Sequence, residues 1–139
     1  MDDRFQLRRF VDAQQPVYEK VLGELRAGRK RSHWMWFIFP QIAGLGHSAM
    51  AVRFAISSLD EAVAYLAHSV LGQRLRECTA LVAGSESHSI AEIFGYPDDM
   101  KFRSSMTLFS RAAPQEPIFV ACLQKYFGGE PDLQTLAKL

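Results

Sequence analysis

Ser32-His33-Trp34-Met35-Trp36-Phe37-Ile38-Phe39-Pro40-Gln41 is the most apolar run of the chain, and it holds both tryptophans. Arg29-Lys30-Arg31 leads into it, and the glycine-punctuated Gly44-Leu45-Gly46-His47-Ser48 follows it. Trp34, Trp36, Ile38 and Phe39 suit either a short strand or one or two buried helical turns. Over so few residues periodicity does not separate the two. Pro40 stops the run, and the flanking sequence decides the fold class.

On the amino-terminal side, Leu7, Phe10 and Val11 make the inward face of a helix over about residues 4–13. After Gln15-Pro16, Tyr18, Val21, Leu22 and Leu25 fall at i, i+3, i+4 and i+7, an amphipathic stripe that Gly28 ends. On the carboxyl-terminal side, Ser48 is placed to cap a short segment reaching Ile56. Ser58-Leu59-Asp60-Glu61 and Ser89-Ile90-Ala91-Glu92 both have the capping-box form. Leu71, Leu75, Cys78 and Val82 form a further stripe. Phe102, Met106, Phe109 and Ala113 line another helix that opens at Pro97-Asp98-Asp99 and closes at Pro114. Pro117 starts a helix carrying Phe119, Cys122, Leu123 and Tyr126 inward, and a last short one spans about residues 132–138. Alternating strand patterns are scarce. The expectation is an all-α fold, a compact single domain over residues 1–139 built from seven or eight short helices.

Composition narrows the class. The 139 residues are 48% hydrophobic and 22% charged, ordinary for a globular protein with a substantial core. The net charge of +1 supplies no global field toward nucleic acid or anionic lipid. Cys78 and Cys122, the two cysteines, fit no zinc or redox spacing and read as buried thiols. The start Met1-Asp2-Asp3-Arg4-Phe5 is acidic and lacks the apolar core of a signal peptide. No run approaches the roughly 20 apolar residues of a membrane span. A cytoplasmic protein without a membrane partner is expected.

The central run, with Gly44-Leu45-Gly46, resembles the signature of domain-of-unknown-function family 1810. So do Arg9-Phe10-Val11-Asp12-Ala13-Gln14, Glu61-Ala62 with Tyr65-Leu66, Leu71-Gly72 with Arg74-Leu75, and Asp99 with Lys101 and Ser104-Ser105-Met106-Thr107-Leu108-Phe109. The resemblance covers nearly the whole chain. Ser69-Val70 departs from it, because many relatives carry a proline after the histidine; only a helix start should change. The resemblance implies a small, mostly helical protein of a bacterial and fungal family with no established activity. Some relatives bear the label calpastatin. That inhibitor works through repeated disordered segments, whereas this chain is unrepeated and too hydrophobic to stay unfolded.

Two segments carry candidate chemistry. In the first, the indoles of Trp34 and Trp36 would stack on a flat or cationic ligand, His33 or Gln41 would orient it, and His33 is the candidate catalytic acid–base group. The competing reading makes the indoles core anchors. In the second, Lys101, Ser104 and Ser105 fall on one helical face and would hold a phosphate or carboxylate; a solvated face is the bland alternative. Together they suggest one pocket for a small, flat, anionic, nucleotide-like ligand. The rival is a protein–protein interaction module without catalysis. A weaker third reading is a nucleic-acid accessory protein using Arg26, Arg29, Lys30 and Arg31, with Arg8 and Arg9 as possible additions. The absence of a recognition-helix signature makes nucleic acid the poorer partner. His33, His47, His68 and His88 form no i, i+4 ligand pair, so no metal is expected. No motif names a cofactor.

Overall fold

The computed structural model describes residues 3–86 and 88–139; the first two residues of the acidic start lie outside them. Ten helices form: α1 (Arg8–Gln14), α2 (Tyr18–Arg26), α3 (Met35–Ile38), α4 (Ala49–Arg53), α5 (Leu59–Ala67), α6 (Leu71–Ala83), α7 (Ile90–Phe94), α8 (Asp98–Ala112), α9 (Pro117–Phe127) and α10 (Leu133–Ala137). The class is all-α, as the stripes predict, but the helices outnumber the seven or eight expected. The excess lies around Gly44-Leu45-Gly46. There the apolar run becomes the single turn α3, and the segment that Ser48 caps becomes α4, its hydroxyl accepting from the Ala51 amide.

Helices α5, α6, α8 and α9 close a ring. α8 packs on α5 and α9, and α6 packs on the same two. α8 also meets α7 and α10, so it is enclosed on nearly every side. Residues 104–109 are buried without interruption, which a helix with one apolar stripe would not show. The amino-terminal helices cover the ring: α2 lies on α6, and α1 holds α3.

Aromatic side chains join these parts. Phe10 touches Phe54 and Tyr65, Tyr65 meets Phe109, and Phe109 meets Phe119. A second group places Trp34, Phe39, Phe94 and Phe102 together, tying the apolar run to α7 and α8. Edge-to-face contacts of this kind add to the area they remove from water.

Buried polar groups fix how the run enters and leaves. On entry, the Glu24 carboxylate of α2 accepts from the Arg31 and Ser32 amides, the Ser32 hydroxyl and the Trp34 indole N–H, the last at 3.0 Å. Inside, the Gln14 amide group donates to the Phe37 carbonyl at 2.7 Å and to the Tyr65 hydroxyl at 3.0 Å. On exit, Ile42 and Ile56 form an isolated parallel bridge. The Ala43 amide donates to Ile56 and the Ile56 amide to Gln41, so the intervening loop and α4 hang from one closed neck.

Local signals differ from expectation at two helix starts. α1 begins at Arg8 rather than near Arg4, because the Asp3 carboxylate accepts from the Leu7 and Arg8 amides and Gln6 takes a left-handed φ of 54°. At α5 the Ser58 hydroxyl caps Glu61, but the Glu61 carboxylate does not return to Ser58. It binds the Ser57 amide and hydroxyl and pairs with Arg9 at 2.9 Å. The box at Ser89 and Glu92 is complete. At the Ser69-Val70 departure, His68 Nδ1 accepts the Val70 and Leu71 amides and so opens α6. Gly72 has no alternative there, since a Cβ would overlap the Leu66 carbonyl oxygen. Both cysteines are buried, and burial raises each thiol to about 12, so neither is an accessible nucleophile.

Burial opposes ionisation of Glu24, but the bonds from Ser32, Arg31 and Trp34 outweigh it and hold the carboxyl down to about 2. Its unfolded counterpart titrates at about 4.3. The carboxylate therefore stabilises the fold above that value, and the contribution is lost as pH falls toward about 2. Chemical denaturation across this acid range should show a stability slope that flattens in Glu24→Gln. Identical slopes would remove the assignment.

Candidate functional site

The two candidate segments meet through one carboxylate. Asp98, in the first turn of α8, binds the Lys30 ammonium at 2.8 Å and lies 3.7 Å from that of Lys101. Lys30 Nζ stands 5.3 Å from the centre of the Trp34 ring, and Lys101 Nζ stands 5.7 Å from that of Trp36. Two cations, each against an indole, thus flank one anion. Lys30 is almost wholly covered, at 9% side-chain exposure. It serves the join between α8 and the run. Lys101 is more open, and its only ion pair among the described residues is the long one.

Beside Lys101 lies a surface cleft of about 560 Å³. Gln41 and the Leu45-Gly46 turn form one side. Tyr96, Pro97, Met100, Lys101 and Ser104 form the floor and second side, and the start of α10 from Asp132 closes the end. Trp36 borders a shallow indentation that shares Gln41 and Gly46 with this cleft. The floor is braced. Asp132 caps α10, accepting from the Thr135 amide and hydroxyl with the same oxygen that accepts from Ser104 at 3.0 Å. Thr107 accepts from the Asp132 amide. Arg103 also lines the cleft, but its guanidinium donates to the Glu130 carbonyl and lies over Phe127, leaving Lys101 as the more available cation.

The geometry brings together Gln41, Lys101 and Ser104, with Trp36 adjoining. The other three named residues stand apart. Trp34 is 1% exposed, and its indole N–H is committed to Glu24, so it anchors the core and presents no face to a ligand. Ser105 is also fully buried. It does not share the face that Lys101 and the largely buried Ser104 turn to the cleft, because one residue of helix turns it about 100° inward. Its hydroxyl has no hydrogen-bond partner among the described residues. His33 is exposed and lies outside the cleft lining. Tyr96, Leu45 and Asp132 were not foreseen as lining residues. For Asp132 the helix-start signal was visible, but not that Ser104 and Thr107 would face it.

The basic approach divides in the same way. Arg9 is used inside the fold, donating to the Phe5, Gln6, Arg53 and Ala55 carbonyls besides its pair with Glu61. Arg8 pairs with Asp12. Arg26, Arg29 and Arg31 are exposed.

This architecture coincides with a known one. Residues 4–139 match the family described as "Protein of unknown function (DUF1810)". The chain belongs to that family. A solved structure in the same fold, the conserved hypothetical protein Rv1873 from Mycobacterium tuberculosis, is 61% identical, with a TM-score of 0.97. The alignment covers 99% of this chain and 98% of that one. No curated protein matches. Among the described residues no helix is long and apolar enough to cross a membrane. Family membership brings a fold, so any activity must be argued from the site.

The two tryptophans and the two serines make separable tests. Acrylamide should quench Trp36 and spare Trp34, so Trp36→Phe should leave a protected, unquenched emission. Ser104→Ala should destabilise by about 1 kcal/mol through loss of the Asp132 bond. Ser105→Ala, which removes an unpartnered buried hydroxyl, should be neutral or stabilising by urea denaturation.

Proposed function

We propose that the protein binds a small, flat, anionic ligand of nucleotide-like character in the cleft beside Lys101. The observation that carries the reading is the convergence of Gln41, Lys101 and Ser104 on one concave surface from positions far apart in the chain. Lys101 supplies a charge held in place by Trp36 and Asp98, so little ordering is needed when an anion arrives. Tyr96 and Met100 offer apolar surface to a ring, and Gln41 offers both a donor and an acceptor. Asp132 is the opposing charge in the lining. Its bonds with Ser104 and Thr135 occupy one oxygen and direct the anion to the Lys101 end. The reading is of binding; with His33 outside the lining, it assigns no acid–base group.

An interaction module remains the second reading, favoured by one observation. Tyr96 is 85% exposed and Leu133 75% exposed, and both border the same cleft. Under that reading, replacing both with serine abolishes capture of a protein partner while Lys101→Ala spares it.

A thermal-shift screen of nucleoside monophosphates and phosphorylated metabolites separates the two. A ligand present at a hundred times its Kd should raise stability by about 2.7 kcal/mol. Lys101→Ala should abolish the shift without altering the unliganded melting point by more than a few degrees. A shift retained in Lys101→Ala places the ligand elsewhere and overturns the reading.

A further inference from the structure

The approach to the apolar run carries a second, separate feature. After α2 ends, residues 29–31 run without helix or turn. Their middle member is pinned from both ends. The Lys30 amide donates to the Ile93 carbonyl of α7 at 2.7 Å, and the Lys30 ammonium reaches Asp98 beneath Trp34. In an extended segment alternate side chains leave on opposite sides. With Lys30 turned inward, Arg29 and Arg31 both turn outward, and both line a cleft of about 440 Å³ whose far wall is Ala91 and Glu92 of α7. His88 closes one end. Its ring packs over Gly28, which has a φ of 75° and no Cβ to obstruct it, and its Nδ1 is within 3.1 Å of the Ser85 hydroxyl. The same imidazole borders an adjoining cleft that contains Arg26.

Among the described residues the Arg29 and Arg31 side chains have neither an ion pair nor a hydrogen bond. Two arginines lining one hollow, on a segment pinned at Lys30, form an arrangement suited to a tetrahedral oxyanion. We infer that this cleft is a phosphate-binding site, taking the terminal phosphate of a small phosphorylated molecule between Arg29 and Arg31. It is distinct from the Lys101 cleft and does not depend on it.

A phosphate group on a small molecule fits better than a nucleic-acid backbone. A backbone binder needs a basic stripe, and this one does not extend. Lys30 is held by Asp98 and Arg9 by Glu61, leaving Arg26, Arg29 and Arg31 as a short cluster on a chain of net charge +1. Glu92 works against the site. Hydrogen bonds from the Ser89 amide and hydroxyl keep its carboxyl below the usual range, so it is an anion facing the hollow at neutral pH. Glutamine at the same position keeps the capping box, because its carbonyl oxygen still accepts the Ser89 amide, though more weakly than a carboxylate. Glu92→Gln therefore removes the opposing charge without opening the helix start.

The test is titration of the full chain with inorganic phosphate and with phenyl phosphate at low ionic strength, followed by amide shifts in ¹H–¹⁵N spectra. Saturable shifts are expected at Gly28, Arg29, Arg31 and Ala91. Arg29→Gln and Arg31→Gln should each weaken binding about tenfold, the loss of one charge-assisted contact. Glu92→Gln should tighten it, and any shifts around Met100 and Lys101 report the other cleft and are read separately. Spectra elsewhere in the chain report that the variants remain folded. Shifts that do not saturate, or affinities unchanged in both arginine variants, overturn the site. A short DNA duplex is run in parallel. Tighter binding of the duplex than of phenyl phosphate, lost with the same arginines, replaces the small phosphate with a nucleic-acid backbone and also overturns the proposal.

Discussion

One buried carboxylate fixes how the apolar run leaves α2. Glu24 lies on α2, whose other inward residues are aliphatic, and it accepts four hydrogen bonds from the chain that follows. Two of the donors are main-chain amides that no helix or strand would otherwise satisfy. A third is the indole of the largest buried side chain. Leaving such donors unpaired in the interior costs more than the net gain of an ordinary hydrogen bond. Trp34 can therefore be buried among Phe39, Phe94 and Phe102 only if Glu24 is in place, and those contacts fix α7 and α8 against the run.

The same approach segment sorts charge by side. Lys30 points in and stabilises the start of α8 through Asp98. Its neighbours point out, with side chains unpaired among the described residues. On α8 the sorting is repeated with hydroxyls. Ser104 and Thr107 turn toward α10, where Asp132 gathers them, while Ser105 faces the interior. In both places a residue one position along the chain has a different role, on α8 because a helix turns successive side chains by about 100°.

The match to the DUF1810 family and to Rv1873 shows that this packing is one architecture shared at 61% identity. Shared architecture transmits the core; clefts are made from the rims. Here α8 supplies the floor, and the rest of the rim comes from short elements, the Gly44–Gly46 turn, the Tyr96-Pro97 corner and the start of α10. Short elements have little structure apart from what they pack against, and their position is a consequence of the core rather than of local propensity.

The helical class, most helix stripes and caps, and the buried state of both cysteines were legible in the residues, because period and capping chemistry act within one or two turns. So was the likeness to a family, carried by a long and unusual run of side chains. Whether that run was strand or helix was not, since four residues of α3 have no period to read. The fate of its two indoles was equally hidden. Which one is sealed and which one borders a cleft depends on Glu24 and Lys101, and Lys101 lies some seventy positions further on. The meeting of Gln41 with Lys101, the inward turn of Ser105 and the pairing that removes Lys30 from the basic cluster all belong to tertiary structure. Each is set by a partner distant in the chain, and no local pattern encodes the approach of two surfaces that fold independently of their spacing.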